Sequence, residues 1–233
     1  CTLLSCSSFP SVLVLPSTLI KQMSRTADLT EEPVTFNTDH HVDGINAKFF
    51  ADPEILKKRF GGGTGIFEDP MREILVHVQT VFRRMVERMP SKTFQGAHVL
   101  DVGAGTGVLE THLSPLVGED GVIFANDLSP GFVGIIGELT KSGKLTYGNV
   151  VPVVGTDKAI QQEEEDVVVP LHSLDVVFMC DVYHHFEYPI TMMRDIKRYL
   201  KEGTGRLFII DFYRDPARMV SHSPEWALDH LRA

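Results

Sequence analysis

The stretch that decides the fold is residues 97–109, AHVLDVGAGTGVL. Residues 99–102 are mostly apolar, which predicts a short buried strand. Three glycines then follow in the pattern D-x-G-x-G-x-G, and the residues after Gly107 open a helix. A strand, a glycine turn and a helix bring backbone N–H groups and the positive end of the helix up to an anionic ligand group. The sequence therefore predicts a ligand-binding turn here.

The spacing of the glycines separates two kinds of nucleotide-binding turn. A dinucleotide fingerprint is G-x-G-x-x-G, with an acidic residue about 20 positions further on. From Gly103 the third glycine would fall at Val108, and from Gly105 it would fall at Glu110, so both registers fail. A nicotinamide oxidoreductase is therefore disfavoured. A plain tight turn of another α/β protein is the alternative reading of the glycines alone.

The composition bounds the function. The 233 residues are 43% hydrophobic, which fits one α/β domain with an N-terminal extension. The net charge of −9 argues against sequence-independent binding to nucleic acid, because that affinity comes mainly from lysine and arginine on phosphates. No apolar run is long enough to span a bilayer, and the three cysteines lack metal-ligand or disulfide spacing. We expect a cytoplasmic protein with no metal and no nucleic-acid partner.

Short apolar runs alternate with helical patterns along the chain. After 99–102, strands are predicted at 122–126, 150–154, 174–180 and 206–210, with helices over 69–89, 128–142 and 189–200. Asp52 and Asp69, each followed by proline, predict two helix starts before the glycine turn. The alternation predicts a doubly wound, mostly parallel Rossmann-like sheet. Ligands of such sheets bind outside the carboxyl ends of the strands.

Two acids stand where the predicted second and third strands end. Asp127 lies 20 residues past Gly107, where a carboxylate can accept hydrogen bonds from both ribose hydroxyls, with Leu128 beside it. Capping of the next helix is the alternative role for Asp127. Asp157 follows the third strand and either bonds the adenine amino group or caps a turn.

The predicted fourth strand ends in Asp181 and the sequence VYHHF. His184 or His185 is the candidate general base, because imidazole titrates near neutrality, and Tyr183 is a weaker candidate. The alternative is that one histidine orients its neighbour and the other packs on the sheet. Asp211 and Tyr213, after the fifth strand, are further candidates of the weaker kind.

The chain divides into three parts. We expect residues 1–35 to be a disordered leader, 36–92 an N-terminal helical cap, and 93–233 the ligand-binding domain. Residues 1–27 contain no acid and many serines, which fits a mitochondrial or plastid transit peptide; alternatively, Met23 is the true start.

From about residue 45 onward the chain resembles class I S-adenosylmethionine-dependent methyltransferases of the small-molecule type related to ubiquinone- and menaquinone-biosynthesis enzymes. The matching stretches are INAKFF, HVLDVGAGTGVL, FANDLSP, LDVVFMCDVYHHFEYP, GRLFIIDFYRDP and SPEWALDHLRA. The resemblance implies methyl transfer from S-adenosylmethionine to a small molecule. A non-catalytic module that binds S-adenosylmethionine is the rival interpretation.

The resemblance also implies roles for individual residues. The turn would line the methionine end of the cofactor, Asp127 the ribose and Asp157 the adenine, while Asp181 would border the sulfonium and the substrate. The residues of that turn are Asp101, Gly103, Ala104, Gly105, Thr106 and Gly107. Such folds end in two further strands that this sequence lacks, so we expect a C-terminal truncation and an exposed edge on the fifth strand.

Overall fold

The computed structural model describes residues 46–63, 65–162 and 168–211, together with the backbone of 2–4 and 11–16. The strands are β1 (Thr2–Leu4), β2 (Ser11–Pro16), β3 (His98–Val102), β4 (Val122–Asp127), β5 (Val150–Val154), β6 (Val176–Cys180) and β7 (Arg206–Asp211). The α-helices are α1 (Pro53–Phe60), α2 (Glu73–Val86), α3 (Val108–Val117), α4 (Pro130–Lys141) and α5 (Pro189–Tyr199). Short 3-10 turns occupy Ala47–Phe50 and Tyr183–His185.

Five strands run parallel, in the order β7-β6-β3-β4-β5. The chain places β4 and β5 on one side of β3 and then returns to add β6 and β7 on the other side. The strand order therefore reverses between β3 and β6, and the carboxyl ends of the strands at this switch point are where such sheets bind ligands. The doubly wound parallel sheet predicted from the sequence is confirmed.

Alternate residues of the central strand face opposite sides of the sheet, as the two-residue period of a strand requires. Val99 packs in the core that the sheet forms with α2 and α3, whereas Leu100 packs in the core on the α5 side. Because both sides are covered, all five residues of β6 and the four inner residues of β7 are apolar and buried. Asp101 shares the register of Val99 and is only 2% exposed, so its carboxyl lies beneath the helices.

The helix starts follow the predicted signals in two cases and differ in one. Asp52 accepts a hydrogen bond from the N–H of Glu54 and caps α1, and Ser129 caps α4. Helix α2 begins at Glu73, later than Asp69 had indicated. Asp69 instead accepts from the N–H of Met71 and closes a local turn, so its capping capacity is already used. One face of α2 is apolar and buried, and it is formed by Ile74, Val78, Val81, Phe82 and Met85.

The N-terminal stretch differs from the expected disordered leader. Strands β1 and β2 pair antiparallel, and β2 pairs with β7 from Ser11 opposite Asp211 to Pro16 opposite Arg206. The edge of β7, expected to be exposed, is therefore covered by β2. An edge strand presents unpaired N–H and C=O groups, and the sequence SVLVLP of β2 contains the β-branched residues that favour pairing with it.

Several expectations concern residues outside the described ranges. These are the transit peptide or start at Met23, most of the leader, and everything after Asp211, including Tyr213 and SPEWALDHLRA. The division of the chain near residues 35 and 92 stays a prediction. Within the described residues, no helix combines the length and the apolar character needed to cross a membrane.

Candidate functional site

The glycine turn follows β3 and leads into α3. Gly103, Gly105 and Gly107 have φ values of +76°, +59° and +79°, a region in which a Cβ atom is strained. The backbone N–H groups of Gly103 and Ala104 both donate to the carbonyl oxygen of Asn126, at 2.8 Å each. The turn is therefore attached to the end of β4, which supports its position at the switch point.

Asp127 connects the end of β4 to the glycine turn. Its Oδ2 accepts from the N–H of Gly105 at 2.9 Å, and its Oδ1 accepts from the N–H of Ser129 at 2.8 Å. Burial raises the pKa of the Asp127 carboxyl to about 6, and the backbone hydrogen bonds oppose this shift. Asp127 therefore holds the glycine turn and the segment before α4 in place at the same time. This structural role was not among the two that the sequence suggested, ribose binding and helix capping.

Two adjoining cavities lie at the carboxyl ends of the strands. The larger, of about 400 Å³, is open to solvent and is lined by Leu128, Thr156 and Asp157 together with Phe50. The smaller, of about 30 Å³, has room for roughly one water molecule and reaches Gly103. Leu128 and Asp157, two of the predicted cofactor-binding residues, thus both line the larger cavity.

The turn after β5 is organised by Thr156. Its Oγ1 accepts from the N–H groups of Lys158 and Ala159, at 3.1 and 2.9 Å. These bonds fill the turn-capping role that was the alternative for Asp157. Asp157 lines both cavities, which keeps it a candidate for contacting a ligand.

Two buried carboxyl groups lie beneath the glycine turn. Asp101 Oδ2 and both carboxyl oxygens of Glu110 accept no hydrogen bond from a donor among the described residues, and Thr106 Oγ1 has no partner there either. Burial raises the pKa of Asp101, which Glu110 raises further, and burial raises the pKa of Glu110 to about 7. Because the two carboxyls adjoin each other, they cannot both ionise without strong repulsion.

Glu110 was missed by sequence reasoning. It lies in the first turn of α3, where an acidic side chain is usually exposed to solvent and interacts favourably with the helix dipole. The structure buries it completely, against β3. No sequence signal distinguishes these two environments, because the helix face is decided by packing.

Side chains cover two glycines of the turn. A Cβ atom at Gly103 would lie 2.5 Å from Cγ2 of Val182, and one at Gly105 would lie 3.0 Å from Cδ2 of Phe67. Phe67 belongs to an aromatic cluster in which its ring centre lies 4.8 Å from that of Phe60. Phe67, from the segment before α2, and Val182, which follows β6, therefore pack so close to the turn that only glycine fits at these two positions.

An ion pair links the two chain segments that supply these covering side chains. Arg72 Nη2 donates to Asp181 Oδ2 at 2.8 Å, and Asp181 immediately precedes Val182. Arg72 Nη1 donates to the carbonyl oxygen of Phe67 at 3.4 Å, and the guanidinium carbon lies 5.1 Å from the centre of the Phe67 ring. Burial raises the pKa of Asp181, while the Arg72 charge opposes the shift. Asp181 was predicted as a site residue, whereas no motif marks Arg72.

The two neighbouring histidines have different surroundings. His184 Nδ1 lies 2.8 Å from Asp211 Oδ1, so the end of β7 holds this ring in place. His185 lines the smaller cavity and packs edge-on against Phe49 at 5.4 Å. Tyr183 packs against the ring of a neighbouring phenylalanine and is partly exposed. Among these three predicted residues, His185 is therefore the one that lines the smaller cavity.

These features define a class of protein. The sheet is doubly wound and parallel, and a D-x-G-x-G-x-G turn follows its central strand. This turn is hydrogen-bonded to an acid at the end of the next strand. Together these features are characteristic of S-adenosylmethionine-dependent methyltransferases. A family model described as a methyltransferase domain matches residues 74–232, so the chain belongs to this family of methyltransferases.

Curated relatives and solved structures agree with this assignment. The chain is 28% identical over 127 residues to a ubiquinone/menaquinone biosynthesis C-methyltransferase of Pseudoalteromonas translucida, covering 54% of this chain and 47% of the relative. A fibrillarin-like rRNA/tRNA 2'-O-methyltransferase of Pyrobaculum aerophilum is 37% identical over 62 residues, covering 26% and 25%. A methyltransferase structure from Aquifex aeolicus has the same fold, with a TM-score of 0.55, 24% identity and coverage of 78% and 86%. The chain spans about half the length of the ubiquinone/menaquinone relatives it matches.

Proposed function

We propose that this chain transfers the methyl group of S-adenosylmethionine to a small-molecule acceptor. The observation that carries the proposal is the hydrogen bond between the glycine turn and Asp127, beside two adjoining cavities of which His185 lines the smaller. The similarity to ubiquinone/menaquinone biosynthesis C-methyltransferases supports a small acceptor, and the net charge of −9 disfavours an RNA acceptor.

The described residues fit the cofactor along its length. The cleft of about 400 Å³ can take an adenosine group between Leu128 and Asp157, and Asp127, the residue before Leu128, is the carboxyl group that we assign to the ribose. At the methionine end the turn carries no side chains at Gly103, Gly105 and Gly107, and the buried Thr106 Oγ1 has no partner among the described residues. The bound cofactor supplies an electrophilic methyl group, so the protein has mainly to align the acceptor and exclude water.

His185 is the residue we assign to proton removal from the acceptor. Its ring lines the cavity next to Gly103, and general bases of this kind contribute about 10²- to 10⁴-fold in rate. His184, held by Asp211, contacts the His185 ring at 4.3 Å between centres and helps to orient it. Tyr183 remains the weaker candidate.

The acceptor class is tested by transfer of an isotopically labelled methyl group. The chain is incubated with labelled S-adenosylmethionine and separately with small-metabolite, protein and RNA fractions. Label in the small-metabolite fraction supports the proposal, and label only in RNA or protein contradicts it. Tight S-adenosylhomocysteine binding without transfer to any fraction indicates a non-catalytic module. Once an acceptor is known, His185→Gln should lower kcat about 10²-fold or more while leaving cofactor affinity unchanged.

A further inference from the structure

Several acidic side chains surround the glycine turn, where the carboxylate of the cofactor would have to bind. Asp101, Glu110 and Asp127 are buried at the turn, and Asp181 stands at the end of β6. The methionine end of S-adenosylmethionine carries a carboxylate as well as cationic groups. A ligand carboxylate next to any of these acids that is ionised is repelled, and a cationic side chain beside it offsets that repulsion.

Among the described residues, Arg72 brings a cationic side chain close to the turn. Its guanidinium lies between Phe67, which covers Gly105, and Asp181, which precedes the side chain covering Gly103. The Arg72 side chain is 25% exposed, so it is neither fully solvated nor enclosed in the core. The contact of 2.8 Å to Asp181 shows that a carboxylate oxygen fits against this guanidinium.

We propose that Arg72 binds the carboxylate of the cofactor, exchanging its contact with Asp181 for that ligand group. The inference rests on the proposed use of S-adenosylmethionine and does not depend on which acceptor is methylated. A guanidinium presents a planar set of donors that matches a carboxylate, and such bonds are stronger than those between neutral groups. After the exchange, the Asp181 carboxylate can pair with the cationic groups of the same ligand, so neither side chain is left with an unpaired charge.

The test compares two ligands that differ in the carboxylate alone: S-adenosylhomocysteine and its decarboxylated analogue. Titration calorimetry on the full chain gives both affinities for the parent, Arg72→Gln, Arg72→Lys and the control Arg83→Gln. Arg83 is also on α2, is 61% exposed and pairs with Glu87, away from the turn. We expect Arg72→Gln to lower the affinity for S-adenosylhomocysteine about 10- to 100-fold, the range for a hydrogen bond to a charged group. The affinity for the decarboxylated analogue should stay within about twofold of that of the parent.

Each outcome decides the matter. Equal weakening of both ligands by Arg72→Gln, or unchanged binding of S-adenosylhomocysteine, overturns the proposal. Arg72→Lys should retain part of the preference for the carboxylate, and Arg83→Gln should retain all of it. If Arg72→Gln fails to fold, the parent and Arg72→Lys decide, because equal affinity of the parent for the two ligands also overturns the proposal. No acceptor is used, so failure here is distinguishable from failure of the small-molecule assignment.

Discussion

The carboxylate of Asp127 accepts a hydrogen bond of 2.9 Å from the backbone N–H of Gly105. This contact joins the two motifs that stand 22 positions apart in the sequence, and it places the ribose-binding candidate directly against the glycine turn. The same carboxylate accepts from Ser129 at the entry to α4. Loss of this side chain should therefore affect both cofactor binding and stability.

Asp127→Ala should weaken binding of S-adenosylhomocysteine by about 1.5–3 kcal/mol, the range for hydrogen bonds to a charged group. The variant should also melt at a lower temperature, because two buried N–H groups lose their acceptor. Calorimetry and thermal melts measure the two effects, with the exposed Asp120→Ala as control. Unchanged affinity with reduced stability would show that Asp127 is structural only.

Gly105→Val should greatly reduce cofactor binding. The residue has φ of +59°, which a branched side chain adopts at a cost, and its Cβ would meet the Phe67 ring at 3.0 Å. Gly134→Ala is the matched control, because a Cβ there meets nothing within 4 Å and the position is inside α4. Parent-like affinity of Gly105→Val in calorimetry would show that the ligand does not approach this turn.

Glu110→Gln should change how stability depends on pH. The pKa of Glu110 is raised in the folded state, so the folded protein holds this proton more tightly than the unfolded chain. The parent therefore loses stability as pH rises from the ordinary glutamate value of 4.5 toward about 7. Glutamine at this position cannot ionise and can donate to Asp101, so the variant avoids this loss.

Unfolding of both proteins is measured between about pH 5 and about pH 8. We expect the difference in their free energies of unfolding, in favour of Glu110→Gln, to grow over this range by on the order of 1–3 kcal/mol. The exposed Glu119→Gln, just after α3, is the control and should show no such trend. A stability difference that is constant over this range would contradict the buried-carboxyl interpretation.

Removal of residues 1–16 should lower solubility and stability. The pairing of β2 along β7 would be lost, which leaves the backbone groups of an apolar strand without partners. Light scattering and thermal melts of the shortened and parent chains measure the effect. A sharp melt at the parent temperature, without aggregation, would mean that the edge of β7 is covered in another way.

The sequence by itself determined the parallel sheet and the location of the cleft. The apolar strands, the glycine spacing and the strand-end acids Asp127 and Asp157 are local patterns, and the parallel topology brings the carboxyl ends of the strands to one edge of the sheet. The same patterns placed His184 and His185 near that edge, but they did not distinguish the histidine held by Asp211 from the one that lines the smaller cavity.

Only the tertiary structure decided the contacts between distant segments. Arg72 and Asp181 are 109 positions apart, and neither residue type carries a signal for its partner. Glu110 reads as a solvated acid on a helix, and its burial follows from how α3 packs on β3. The pairing of β2 with β7 likewise depends on an open edge, which is a property of the assembled sheet. Local patterns specify elements, whereas the charge environment of a side chain depends on the packing around it.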